Sequence, residues 1–111
     1  MIEFKSKIAT WTADIYIAGE NHIIEQVCRE YCLKVGLCVN IIKASFIYTG
    51  GKETGCKIGL INYPRFPIHN ADLDNQAFEL GMEIAKACCQ FSFSIVFPDR
   101  TVFYSNDKKD L

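Results

Sequence analysis

An α+β fold of the ferredoxin-like βαββαβ kind is what this sequence predicts: a two-layer sandwich with two helices on one face of an antiparallel sheet, and an extra C-terminal β-strand. Three observations lead there. Two stretches carry apolar residues at helical spacing, "HIIEQVCREYCLKVG" and the run from Asn70 to about Gln90. Two strand-like stretches lie between them, and a strand-like stretch flanks each end. No repeat, low-complexity run or linker divides the 111 residues, so one domain spanning 1–111 is expected. A chain of this length buries roughly 65% of the surface it would expose unfolded, enough for a single core.

The first element is "IATWTADIYIAG", where Trp11, Ala13, Ile15 and Ile17 share one face and Thr10, Thr12, Asp14 and Tyr16 the other. Gly19 breaks this strand, and Asn21 is placed to cap the helix that follows. In that helix Ile23, Ile24, Val27, Cys28, Tyr31, Cys32 and Val35 form one apolar stripe, which Gly36 ends. "LCVNIIKASFIYT" is rich in β-branched and aromatic residues, and its alternation slips at Ile41 and Ile42, which suggests a bulge. "CKIGLINY" reads as the third strand. The two prolines of "PRFPIHN" make an irregular connection, after which Asn70 or Asp72 can cap a second helix striped by Leu73, Ala77, Leu80, Ile84 and Cys88. "FSFSIVF" alternates as a fourth strand, and a Pro-Asp-Arg turn leads into a short "TVFY" strand.

Between the second and third strands stands "YTGGKETGC". A phosphate-binding P-loop requires GxxxxGK followed by Ser or Thr, and it opens a helix. Here Glu53 follows Gly51-Lys52 and would repel phosphate, while the chain goes on into a strand, so the glycines are read as a reversal.

Composition bounds function. Hydrophobic residues make up 50% and charged residues 23%, an ordinary globular balance, and the formal charge of −1 gives no field to gather nucleic acid or an anionic membrane. Glu3, Lys5 and Lys7 interrupt what a signal peptide would need as an apolar run, and no apolar stretch approaches a membrane span, so a cytoplasmic protein is expected. "KKDL" at the end is similar to a retention tail, but without an entry signal it reads as a frayed terminus. The six cysteines lack zinc-knuckle spacing and have only His22 and His69 beside them, so free thiols and no metal are expected. No Gly-x-Ser-x-Gly elbow, HExxH helix or GxGxxG turn occurs, and no cofactor is expected.

Three constellations remain. The "IYIAG" segment, Ile15 to Gly19, resembles the first ribonucleoprotein motif of RNA-recognition domains, and the resemblance implies Tyr16 as a stacking platform. In the companion segment "KIGLINY", Ile58 and Leu60 stand in the aromatic places, which with the neutral charge disfavours nucleic acid. Topology should bring the "YPRFPIH" loop and the "PDR" turn to one sheet edge, where Arg65, His69, Asp99 and Arg100 could bind a carboxylate or phosphate; the alternative is simple pairing of an arginine with Asp99. The helix-free face is expected to carry Asp14, Tyr16 and Tyr63, with Thr12, Ser92, Ser94, Val96 and Ile61, a mixture suited to a subunit interface or a pocket.

The leading expectation is a non-enzymatic, protein-binding assembly module that forms a homodimer through this face or an edge. The second is a small-molecule-binding domain, or a dimeric α+β-barrel enzyme, with its site at the open face or the Arg65/His69/Arg100 edge. Single-stranded RNA binding comes third.

Overall fold

The computed structural model of the chain describes residues 1–110, so of the "KKDL" run Leu111 lies outside the described residues. Its elements are β1 (Thr12–Ala18), α1 (Asn21–Val35), β2 (Val39–Tyr48), β3 (Gly51–Ile61), α2 (Asn70–Ala87), β4 (Ser92–Val96) and β5 (Thr101–Ser105), closed by a 3-10 turn at Lys108–Asp110. The strands form one sheet in the order β2-β3-β1-β4-β5, with every neighbouring pair antiparallel. This is the ferredoxin-like arrangement, and β5 extends it beside β4.

Strict alternation in β1 puts Ala13, Ile15 and Ile17 under the helices, where they meet Ile58 and Leu60 of β3 and Ile95 of β4. From the helices, Ile24, Cys28 and Tyr31 of α1 and Leu73, Leu80 and Ile84 of α2 close the same core. Each fully buried aliphatic side chain there contributes about 1.5–3 kcal/mol, so this layer dominates stability. Tyr31 Oη donates to Glu79 Oε2 at 2.8 Å and ties the helices together. Among the described residues, neither α1 nor α2 lies on the opposite face of the sheet.

The structure corrects several local expectations. No bulge interrupts β2, whose register runs unbroken from Val39↔Leu60 to Tyr48↔Gly51. Ile41 faces the core opposite Ile58 and Ile42 faces outward opposite Lys57, so the apparent slip is an exposed isoleucine rather than an inserted residue. Neither helix has a side-chain cap: Glu20 and His69 hold the N-cap positions. Asn21 is already helical, and its Oδ1 accepts instead from the Cys56 thiol at 3.0 Å. β3 begins at Gly51, five residues ahead of Cys56, where its expected start lay.

The glycine-rich stretch is a hairpin turn, as expected. Thr49 and Gly50 connect β2 to β3, and Gly50 has φ +89°, a conformation that suits glycine. β1 pairs with β3 only as far as Gly55, so beyond one bond from Gly19 N to Thr54 O, residues 45–54 pair with each other and form a ribbon that overhangs the sheet. The molecule measures 51 × 28 × 26 Å.

At the opposite end, the buried Asn62 closes the loop after β3. Its amide donates to Ile68 O at 2.7 Å and Asn70 Oδ1 at 3.1 Å, and its Oδ1 accepts from Ile68 N at 3.1 Å. Asn62→Ala is expected to lower stability by about 2 kcal/mol, because Ile68 loses both backbone partners. The check is the thermal midpoint, which should fall by roughly 8–16 °C for a domain of this size.

Candidate functional site

A hollow of about 780 Å³ lies where β1 ends, α1 begins and the ribbon leaves the sheet. Its position follows from backbone chemistry. Gly19 turns the chain from β1 into α1 at φ +148°, a region nearly closed to other residues, and its N–H donates to Thr54 O at 2.9 Å. A Cβ there would come to 2.7 Å from Cys88 Sγ. The bare glycine thus lets the end of α2 approach β1 and form the cleft floor.

Charge of both signs surrounds this floor. Glu20 and Glu25 belong to the start of α1, Glu53 comes from the ribbon, and Lys43 and His22 also line the cleft. His22 Nε2 lies 3.3 Å from Glu20 Oε2. Tyr48 Oη donates to Glu53 Oε1 at 3.2 Å, and desolvation, followed by that carboxylate, raises the phenol above its ordinary range. The first amides of α1 add a positive end to the same space. A cleft with carboxylates on several walls and one lysine suits a ligand carrying a cation together with a carboxylate. Among the described residues no three side chains gather as a metal site.

Cys88 lines the cleft, and burial raises its thiol above the ordinary value despite a hydrogen bond from the Glu20 backbone that pulls the other way. Burial likewise raises Cys56. The Cys88 thiol therefore stays protonated near neutral pH and is a weak nucleophile. Iodoacetamide at pH 7.5 is expected to label the exposed Cys38 and Cys89 before Cys88, an order that peptide mass mapping reads directly.

The sequence-derived candidates are distributed as follows. At the sheet edge, Arg100 donates to Asp99 at 2.9 Å and to Asp74 at 3.1 Å, and its guanidinium lies 4.0 Å from the centroid of the Phe97 ring. Its hydrogen bonds to those two carboxylates, Asp74 first, hold it firmly protonated. Trp11 Nε1 donates to Asp74 as well, at 2.8 Å, so Asp74 organises this corner. Arg65 and His69 sit exposed in the neighbouring loop without joining that network. On the open face, Lys57 Nζ lies 3.9 Å from Asp14 Oδ2 and 5.8 Å from the Tyr16 ring centroid. Tyr63 falls beyond β3, packs against Phe66 at 5.2 Å and meets Cys38 Sγ at 4.0 Å.

Sequence reasoning missed the cleft, since its walls come from residues 18–25, 43–54 and 88–90 and no local motif spans them. The only local signal was Gly19 between a strand and a helix.

The fold and this cleft define a small α+β domain with a pocket of ligand size. Two solved structures share the fold along almost their full length. One is a phage SAM lyase in the apo state, with TM-score 0.76 and 12% identity, covering 95% of this chain and 98% of that one. The other is a phage SAM lyase in complex with S-methyl-5'-thioadenosine, with TM-score 0.62 and 12% identity, covering 96% of this chain and 98% of that one. No protein-family profile and no curated protein matches the chain.

At this identity the likeness is one of fold. It nonetheless overturns the leading expectation of a non-enzymatic, protein-binding module, because the chains that share this architecture end to end are described as an enzyme, in one case with a small molecule bound. The second expectation, a small-molecule-binding domain or enzyme, is the one the matches favour. Among the described residues no helix is long and apolar enough to cross a membrane.

Proposed function

We propose that the protein is a lyase acting on a sulfonium nucleoside of the S-adenosylmethionine type, with the β1–α1 cleft as its site. The observation that carries this reading is the end-to-end fold match to SAM lyase, one structure of which holds S-methyl-5'-thioadenosine. The cleft's mixed charge supports it independently.

S-methyl-5'-thioadenosine is S-adenosylmethionine without its aminobutyryl arm, so the bond that breaks joins the sulfonium sulfur to the arm's γ-carbon. Its electron pair stays on sulfur, which becomes a neutral thioether. The arm's own carboxylate closes on the γ-carbon to give a lactone, while the ammonium keeps its proton. Charge balances without water, oxidant or cofactor. In this chain Glu20, Glu25 and Glu53 would hold the sulfonium and ammonium, and Lys43 with the first α1 amides would orient the carboxylate. Holding the arm folded over its γ-carbon is the main service the protein renders, since the reacting groups already belong to one molecule.

Incubation with S-adenosylmethionine and chromatography for S-methyl-5'-thioadenosine tests this reading. Release well above the enzyme-free rate is expected, and none at any enzyme concentration would sink it. Arg65→Ala and His69→Ala probe the sheet edge as the other location; we expect turnover to be unchanged, and a tenfold fall would move the site there.

Within the same reading, the open face around Tyr16, Ile42 and Phe103 would pair with a second copy, and light scattering at micromolar concentration reports whether it does. The six unpaired cysteines suit a reducing, cytoplasmic compartment.

A further inference from the structure

A second hollow, about 600 Å³, runs between the outer flank of α2 and the β4–β5 edge. Its walls are Phe78 and Met82 of α2, Phe91 ahead of β4, Phe93 of β4 and Tyr104 of β5. The Tyr104 ring stands 4.8 Å from Phe78 and 5.2 Å from Phe93, centroid to centroid. Phe91 is 67% exposed and Met82 49%, so much of this aromatic and thioether surface meets water in the isolated chain. Gln90 and Asn106, each bearing a side-chain amide, also line the hollow. The rim is fixed, because Asn106 N donates to Phe91 O at 2.9 Å and Gln90 N to Ala85 O at 2.8 Å.

We propose that this groove binds the purine base of a nucleoside. A flat π-system between aromatic and methionine walls gains contact on both faces, and the sequence-tolerant stacking of bases on such rings is a recurring mode. A primary amide presents one donor and one acceptor side by side, the pattern that pairs with the N6 and N7 positions of adenine. Lys86 and Glu83 both line the groove, and Glu83 also pairs with Lys34 at 3.7 Å, so charge of both signs stands beside the aromatic walls.

The groove also shares a wall residue with the acidic cleft. Gln90 is a wall of both hollows, so a base seated here directs its ribose past Gln90 toward the carboxylates of the cleft. The link to a sulfonium rests on the function proposed above; the base site stands on the groove's own residues. Together the two hollows divide one ligand, base to aromatic walls and charged arm to carboxylates.

Isothermal titration of adenosine and of S-methyl-5'-thioadenosine into the full chain tests the groove without requiring turnover. Both are expected to bind the wild type. Phe91→Ala should weaken both by about tenfold or more, the scale of one lost base–aromatic stack, and Phe91→Tyr should restore binding. Phe91 is exposed, so its truncation leaves the fold intact, and Met82→Ala gives a second exposed probe expected to act in the same direction. Absence of adenosine binding at millimolar concentration, or binding unchanged by both variants, overturns the proposal. A dimer that dissociates in Phe91→Ala while adenosine fails to bind would likewise overturn it, assigning the groove to a second copy. Adenosine binding without cleavage of S-adenosylmethionine leaves the groove standing and removes the lyase reading. Cleavage with KM unmoved by Phe91→Ala does the reverse.

Discussion

Gly55→Ala is expected to destabilise the protein by about 3 kcal/mol, at the upper end of what overpacking a close contact costs. Gly55 pairs with Ala18 on one side and Ala44 on the other, at the last point where β1 touches β3. An added Cβ would press into the Ile17 carbonyl oxygen and come to 2.8 Å from Ala18 Cα, both backbone atoms of the neighbouring strand that cannot rotate away. The Phe46 ring, 2.6 Å from that Cβ position, already covers the glycine from β2. Relief requires the strands to part at the root of the ribbon. Thermal unfolding should show a midpoint lower by roughly 12–24 °C, and a drop below about 2 °C would mean that the strands yield freely there. Because Thr54 and Glu53 adjoin Gly55, the cleft should widen in the same variant, and ligand affinity should fall alongside stability.

The second large effect concerns charge. Replacing Glu20 and Glu53 together by glutamine preserves shape and removes two of the three carboxylates lining the cleft. Each charge-assisted contact to a bound cation is worth about 1.5–3 kcal/mol, so the pair should lower kcat/KM for S-adenosylmethionine by about 100-fold or more. The loss should fall mostly on KM. A sulfonium loses its positive charge as its bond to carbon breaks, and carboxylates therefore favour the bound substrate at least as much as the transition state. Steady-state kinetics with the two parameters separated would decide it. A fall confined to kcat would assign one carboxylate a direct chemical role, and no change would place the cation elsewhere.

How far the sequence could be read depended on where the physics was local. β1 was legible because one of its faces is fully buried, so Ala13, Ile15 and Ile17 alternate without exception with half-exposed residues. The first half of β3 was not. Lys52, Glu53 and Thr54 are exposed, and ladder pairing with β2 keeps them extended, a force that leaves no mark on hydrophobic alternation. Asn21 illustrates a different failure: its position suits a cap, yet the amide goes to the Cys56 thiol, a partner 35 residues away.

The edge cluster was half legible. Arg100 was expected at that corner and its pairing with Asp99 was foreseen as the simple alternative, but Asp74 was overlooked because its partners Trp11 and Arg100 are distant in the chain. The cleft shows the same limit more fully, since three remote segments create its charge pattern only after the sheet has assembled.

The ribbon that overhangs the sheet is fixed at Gly55 and free at Gly50, so mechanically it is a cantilever. Glu53 rides on that beam, while Lys43, paired opposite Cys56 within the sheet, belongs with Glu20 and Glu25 to the rigid body. In the site proposed above, a deflection at the root would therefore move the Glu53 bank relative to Glu20 and Glu25, as a two-stranded lever rather than a hinged lid.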